Sequence, residues 1–327
     1  MSSWSQLLAG ASGPDLEARR SVLDRAANVL RPAGALRRLD EIAAFLAGWQ
    51  RTSTPAIDRP YLLLAAGDHG VAQRGVSAYP STVTAHMLEA FAKGVATSSV
   101  FAEASGVTVE VIDAGAGIPT GDLAIEDALD YDRFENCISL GREAVAGSGT
   151  DLLLLGEMGI GNTTAAAAVV SSLYGGEIED WVGAGSGVDE AGLVRKREAV
   201  AQGRSRVLGA EPAEVLRRVG GAELAVLAGA CLEARLRSIP VLLDGFVVTA
   251  AVAPIEVEVR GGLAHCLAAH RSSERGHPLL LSHLGLEPIL DLDMRLGEGS
   301  GALVALPILR LAISGVTKVA TFEEFGI

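Results

Sequence analysis

Cysteine is scarce in this chain. The three present, Cys137, Cys231 and Cys266, are odd in number and have no CxxC spacing. That argues against a disulfide framework or a zinc ribbon and fits a reducing cytoplasm. Aromatic residues make up only 4% of the sequence, so a core must be built from Ala, Val, Leu and Ile. Positive charge is in deficit. The formal net charge of −13 argues against a nucleic-acid partner, whose affinity rests on Lys and Arg neutralising phosphates. A local basic pocket for one small phosphate stays open. The start, Met1-Ser2-Ser3-Trp4-Ser5, has no basic segment followed by an apolar one, so no signal peptide is expected. The apolar run over 239–255 carries Asp244 in its middle and Pro240 and Pro254 near its ends. It is short for a bilayer span and reads as a buried strand plus the start of a helix, and no membrane is expected. HExxH and other zinc spacings are missing around His265, His270, His277 and His283, so no metal is expected. A G-x-S-x-G nucleophile elbow is missing too, which leaves a serine hydrolase unsupported.

What is there describes an ordered globule. The chain has 327 residues, 49% of them apolar and 20% charged, enough for one large domain or two unequal ones. Residues 1–59 have helical periodicity over 16–30 and 36–49, broken by Pro32 and Gly34. From Tyr61 the texture changes. Short apolar runs over 61–66, 107–112, 152–155 and 241–243 each end in Gly or Asp and precede longer amphipathic or Ala-rich stretches. This alternation predicts βαβ units and a mostly parallel sheet, whose ligands bind beyond the carboxyl ends of the strands. Residues 301–320 read as helix.

Three segments carry candidate chemistry. Leu155-Gly156-Glu157-Met158-Gly159-Ile160-Gly161-Asn162-Thr163-Thr164 reads as a strand, a glycine-rich turn and an Ala-rich helix. Backbone N–H groups at such a helix start bind anions. Its spacing imitates a P-loop, but Asn162 stands where the phosphate-gripping Lys belongs. A plain strand–helix turn has the same look, and Glu157 beside anion-binding amides tips the reading toward a site. Gly183-Ala184-Gly185-Ser186-Gly187-Val188 fails the dinucleotide fingerprint at Val188, and the Gly115/Gly117 loop fails at Thr120, which weakens a dehydrogenase reading. Lys196 follows on a helix, where a lysine is ordinarily solvated. In Arg295-Leu296-Gly297-Glu298-Gly299-Ser300-Gly301, a lone Glu lies between glycines in an apolar stretch. It is either an exposed turn residue or a desolvated base, since burial raises a carboxyl pKa.

Together these segments resemble one family, the nicotinate-nucleotide–dimethylbenzimidazole phosphoribosyltransferases. Gly67-Asp68-His69-Gly70-Val71 with Gly75-Val76-Ser77-Ala78-Tyr79-Pro80 looks like its first signature. GEMGIGNTT from Gly156 is its most specific one. Gly185-Ser186-Gly187-Val188-Asp189 with Lys196, Leu242-Leu243-Asp244-Gly245-Phe246, His270-Arg271-Ser272 and MRLGEGSGA from Met294 follow in order. The likeness runs over about 30–325. It implies an α/β fold with a Rossmann-like, mostly parallel sheet over 60–302. A small helical domain would come from the chain ends, 1–59 and about 303–327. It implies a homodimer that moves phosphoribosyl from nicotinate mononucleotide to 5,6-dimethylbenzimidazole or a related benzimidazole-type base, without cofactor.

By the same resemblance, Glu298 is the general base and Glu157 the second active-site carboxylate. Gly159, Gly161 and Asn162 receive the nucleotide. Gly185, Ser186, Gly187 and Lys196 contact its phosphate and ribose, with Asp244, Gly245 and Ser272 nearby. Ser77, Tyr79, Leu296 and His86 frame the aromatic base. The chain departs from the family's pattern in three places. His86 replaces a glutamine, the stretch between Gly117 and Ala146 is shortened, and Arg37 stands where a glycine is usual. His86 is expected to alter how an acceptor's edge is read, because imidazole and amide present donors and acceptors differently. Two alternatives stay open: the same donor with another acceptor base, and a catalytically silent nucleotide-binding sensor. Retention of both Glu157 and Glu298 speaks against silence.

Overall fold

The short apolar runs become the strands of one parallel sheet: β1 (Pro60–Ala66), β2 (Thr108–Asp113), β3 (Leu152–Met158) and β4 (Val241–Leu243), with a fifth, β5 (Cys266–Ala268). The computed structural model describes residues 3–327. Sheet order is β2-β1-β3-β4-β5, and every neighbouring pair is parallel. β5 lacks the Gly or Asp that follows the other runs in the sequence. Its place is set by pairing with β4, from Val241 opposite Cys266 to Leu243 opposite Ala268.

Both faces of the sheet are covered, as parallel sheets require. Successive strand residues point to opposite faces, so the leucine runs serve two cores at once. Leu63, Leu153, Leu155 and Leu243 join a cluster with the helices Tyr131–Ser148, Asn162–Tyr174, Ala222–Leu236 and Phe246–Glu258. Leu62, Leu152, Leu154 and Leu242 join another, with the helices Leu16–Asn28, Arg37–Gln50 and Ser300–Thr317. The chain ends meet on this second face. Leu30 N donates to Ala320 O at 2.9 Å, and Arg25 bonds Val316 O, Val319 O and Glu324. The chain-end helices therefore share one apolar cluster with the sheet, and position 302/303 falls inside the helix Ser300–Thr317. That helix has the length and composition of a membrane span, yet Leu303, Leu306 and Leu309 on it are buried against the sheet.

The order of strands makes a switch point. The chain leaves β1 toward β2 on one side and returns to β3 on the other, so the connections diverge beyond the carboxyl ends of β1 and β3. A crevice opens at such a point.

Candidate active site

Glu157 sits just before β3 ends, and the loop before the helix Ser300–Thr317 comes down against it. Gly156 makes this contact possible. A Cβ there would lie 2.6 Å from Gly299 N and 2.8 Å from the carbonyl carbon of Glu298. The close approach lets Glu298 N donate to Glu157 O at 3.0 Å, which ties the two acidic residues together through their backbones.

Glu298 has φ of 61°, in the left-handed region. That conformation is costly for a residue with a side chain, and such strain persists only where neighbours hold it. The holder is Asp244, just past β4. Its carboxylate accepts from Gly299 N at 3.2 Å and from Ala302 N at 3.0 Å. Asp244 is itself buried, with His270 Nε2 3.6 Å from its carboxylate. The Glu298 side chain is buried rather than exposed on a turn, and it accepts from Ser98 N at 3.4 Å, at the start of the helix Thr97–Ser105. Burial raises the Glu298 pKa, the Ser98 donors oppose this, and the Asp244 charge adds to the rise.

Glu157 is more strongly perturbed. Burial first, then the charges of Asp244 and Glu223, push its carboxyl up to about 8, against a hydrogen bond from the Asn162 amide. At neutral pH Glu157 is therefore mostly protonated. The two carboxyls thus sit side by side in environments that raise both, Glu157 by the larger margin.

The glycine-rich turn leads into the helix Asn162–Tyr174. Gly161, at φ of 96°, occupies its first capping position with no side-chain cap. A helix start of this kind attracts anions. Lys196 approaches from the helix Glu190–Arg206, which Asp189 caps by accepting from Gly192 N at 2.7 Å. The ammonium donates to Thr163 Oγ1 at 2.7 Å and to Gly183 O at 3.1 Å. It is 1% exposed, so the solvated-helix alternative is overturned. Burial lowers its pKa to about 8, and the charge of Glu274 works the other way.

These groups surround a cavity of about 490 Å³. One wall has Gly159, Gly161, Asn162, Thr163, Gly185 and Ser186, with Gly245, Ser272 and Glu274 beyond. The other has Ser77, Tyr79, Val83, Met87 and Leu296. Glu157 and Glu298 lie between the two. The walls touch where Ser77 Oγ meets Ser186 Oγ at 3.2 Å, and Arg295 reaches across to donate to Gly185 O at 3.2 Å.

Of the residues expected at the site, four lie outside this lining. Gly187 is beyond it. Asp244 stands behind it and braces the Glu298 loop. Lys196 stands behind Thr163, one hydrogen bond from the cavity. His86 is exposed; on its helix, Thr82–Ala92, Val83 and Met87 are the residues that face inward, one turn apart. The expectation that His86 frames the base is not met by the cavity lining: His86 is exposed and not part of it, although it lies one turn from Val83. Sequence reasoning assigned no role to Arg295, Thr163, Glu274 or His270, all of which line the cavity. Arg295 left a signal, as a cation inside a glycine motif of an acidic chain. His270 left one too, inside the His270-Arg271-Ser272 motif, whereas Glu274 is brought in by folding alone.

Behind the glycine turn lies a second buried pair. His69 Nε2 and Glu223 Oε1 are 2.6 Å apart, both side chains almost fully enclosed. A Cβ on Gly159 would come within 2.9 Å of Glu223 Oε1, so the pair supports the turn from beneath.

A family model described as "Phosphoribosyltransferase" matches residues 11–327. Among curated proteins, the nicotinate-nucleotide–dimethylbenzimidazole phosphoribosyltransferase of Jannaschia sp. (strain CCS1) is 46% identical over 98% of this chain and 95% of its own. The protein of the same name from Brucella anthropi is 44% identical with the same coverage. Among solved structures, CobT from Thermus thermophilus superposes with a TM-score of 0.90 at 41% identity, over 95% of this chain and 99% of that one.

Proposed function

The chain belongs to the nicotinate-nucleotide–dimethylbenzimidazole phosphoribosyltransferase family, and we propose that its cavity transfers phosphoribosyl from nicotinate mononucleotide to 5,6-dimethylbenzimidazole, giving α-ribazole 5′-phosphate and nicotinate. The observation that carries the reading is the pair Glu157 and Glu298, two buried carboxyls joined backbone to backbone between a wall of amides and a wall of apolar side chains.

The nucleotide's phosphate and ribose belong on the first wall. The start of the helix Asn162–Tyr174 and the Thr163 hydroxyl meet the phosphate, and the Lys196 ammonium holds that hydroxyl and supplies positive charge behind it. The acceptor ring belongs against Tyr79, Met87 and Leu296. A benzimidazole nitrogen then attacks C1′ with its lone pair. The ribose–pyridinium bond breaks, its electron pair goes to the pyridine nitrogen, and nicotinate leaves with a neutral ring. The other benzimidazole nitrogen has become acidic, and Glu298 accepts its proton. Protonated Glu157, oriented by Asn162, keeps a second negative charge away from the one on Glu298. Positioning two reactants in one cavity, with one base in place, supplies most of the acceleration in such a reaction.

The reading includes the acceptor class. His86 is exposed and outside the cavity lining, which weakens the residue-based argument for a different base and favours dimethylbenzimidazole itself. It also extends to a homodimer acting in the cytoplasm, which the family resemblance supports; light scattering on the purified protein checks the dimer. The central experiment is incubation with nicotinate mononucleotide and a panel of benzimidazoles, purines and phenols, with products read by mass. α-Ribazole phosphate as the main product is expected. Nucleotide binding with no product from any base would establish the sensor reading instead.

A further inference from the structure

The cavity occupies the carboxyl ends of the strands. Near the opposite end of the sheet, three soft donors converge in the core. Cys231 lies on the helix Ala222–Leu236, Cys266 begins β5, and His265 directly precedes it. Their exposures are 0%, 3% and 0%. Neighbouring residues of an extended strand send their side chains to opposite faces. His265 lies one residue outside the strand, and both it and Cys266 reach Cys231. The two sulfurs are 3.8 Å apart. His265 Nε2 is 3.7 Å from Cys231 Sγ and 3.9 Å from Cys266 Sγ. Trp49 packs its ring against His265, centroids 5.8 Å apart, and the Arg235 guanidinium lies over Trp49.

The spacing is that of ligands around an ion. The centre of a triangle with edges of about 3.8 Å lies about 2.2 Å from each corner, between the bond lengths of imidazole nitrogen (about 2.0 Å) and thiolate sulfur (about 2.3 Å) to zinc. We propose that Cys231, Cys266 and His265 form a structural site for a soft d10 cation, zinc or cuprous copper. Thiolate and imidazole are the donors such ions select. No carboxylate belongs to the cluster among the described residues, which disfavours magnesium or calcium. A cuprous ion is satisfied by the three side chains. Zinc needs a fourth donor besides these three side chains, and the Cys231 carbonyl oxygen, 3.1 Å from His265 Nε2, is one candidate. Binding releases the two thiol protons to solvent. The bound ion cross-links the helix Ala222–Leu236 to the first residue of β5 and takes no part in the transfer.

The whole protein, produced in cells supplied with zinc or with copper and also refolded with each under reducing conditions, is dialysed against a weak chelator, and its metal is counted. About one ion per chain of one of the two metals is expected, with a raised Tm and an unchanged transfer rate. Cys231→Ser and Cys266→Ser each lose the ion, whereas Cys137→Ser, altered on the helix Tyr131–Ser148, keeps it. Cobalt loaded into the wild-type protein gives a thiolate charge-transfer band, a readout independent of whether the serine variants fold. Less than about a tenth of an ion per chain with either metal overturns the proposal, as does equal retention by Cys231→Ser. Loss of two hydrogens on mild oxidation, with no metal retained, overturns it in favour of a disulfide between the same cysteines.

Discussion

The two walls of the cavity are built on different principles. The wall with the glycine turn is made largely of backbone, backed by buried polar groups: Asn162 bonds Glu157, and Lys196 behind it bonds Thr163 and Gly183. The wall with Tyr79 and Leu296, 55% and 53% accessible, is mostly apolar and is completed by the half-buried Val83 and Met87. A pre-organised wall binds a charged donor without reordering and discriminates by unpaired polar groups. An open apolar wall gains by being covered, and a missing methyl group changes its affinity only modestly. Donor selection should therefore be strict and acceptor selection permissive, with the two carboxyls between the walls serving both.

Substitution at the shared floor should have the largest effect. Glu298→Gln keeps the shape and removes proton acceptance, so turnover is expected to fall about 100-fold or more with nucleotide binding largely kept. Turnover within about threefold of wild type would remove Glu298 as the base. Asp244→Ala should follow, since it releases Gly299 and Ala302 and with them the left-handed Glu298. A loss of about tenfold or more in kcat with little change in KM for nicotinate mononucleotide is expected. An equal rise in KM would instead make Asp244 part of the donor wall.

Lys196→Ala breaks the donor wall alone. It removes the positive charge behind Thr163 and the donor that orients its hydroxyl, so nucleotide affinity should drop about tenfold or more while the acceptor's is unmoved. The burial that lowers the Lys196 pKa to about 8 adds a pH signature. Lys196 is charged below that value, so nucleotide affinity should fall as the pH rises through it, and calorimetry across about pH 7–9 checks the slope. An identical slope in the alanine variant would assign the titration elsewhere.

Glu157 gives a stability signature. Its carboxyl rises from 4.5 to about 8 on folding, so the folded state holds a proton that the unfolded state releases earlier. This contribution is fully present below about pH 4.5 and is lost as the pH rises through about 8. Glu157→Gln should flatten the decline of Tm over that interval and be the more stable protein above about pH 8. Parallel wild-type and variant curves would remove the raised carboxyl from the account. The smallest effect belongs to the open wall's outer edge: His86→Gln should leave the ranking of acceptor bases unchanged, because His86 faces solvent. A changed ranking would return His86 to the pocket.

Much of the architecture was legible in the chain. The runs at Tyr61, Leu152 and Val241 end in Gly or Asp and do become parallel strands, because a strand buried on both faces needs unbroken apolar sequence. The helices at each chain end followed from their periodicity. β5 was not legible: it is as short as β4 but lacks the Gly or Asp that follows the others. The glycine motifs located Glu157 and Glu298 because close backbone approach demands glycine wherever it occurs. Lys196 and His86 went the other way. Each is one residue on a helix, and which face turns inward is decided by what the helix packs against.

The sequence by itself determined the class of fold, because apolar period and glycine spacing are local constraints that survive without the rest of the molecule, and its resemblance to known motifs pointed to the family and the two carboxyls. Tertiary structure decided how those carboxyls behave. Only the packed molecule brings the charges of Asp244 and Glu223 close to Glu157, sets the Ser98 N–H against Glu298, and encloses Lys196. Ser98 and Glu298 alone stand 200 residues apart in the chain. The energy of a charge depends on distance and on exclusion of water, and neither is encoded at any one position.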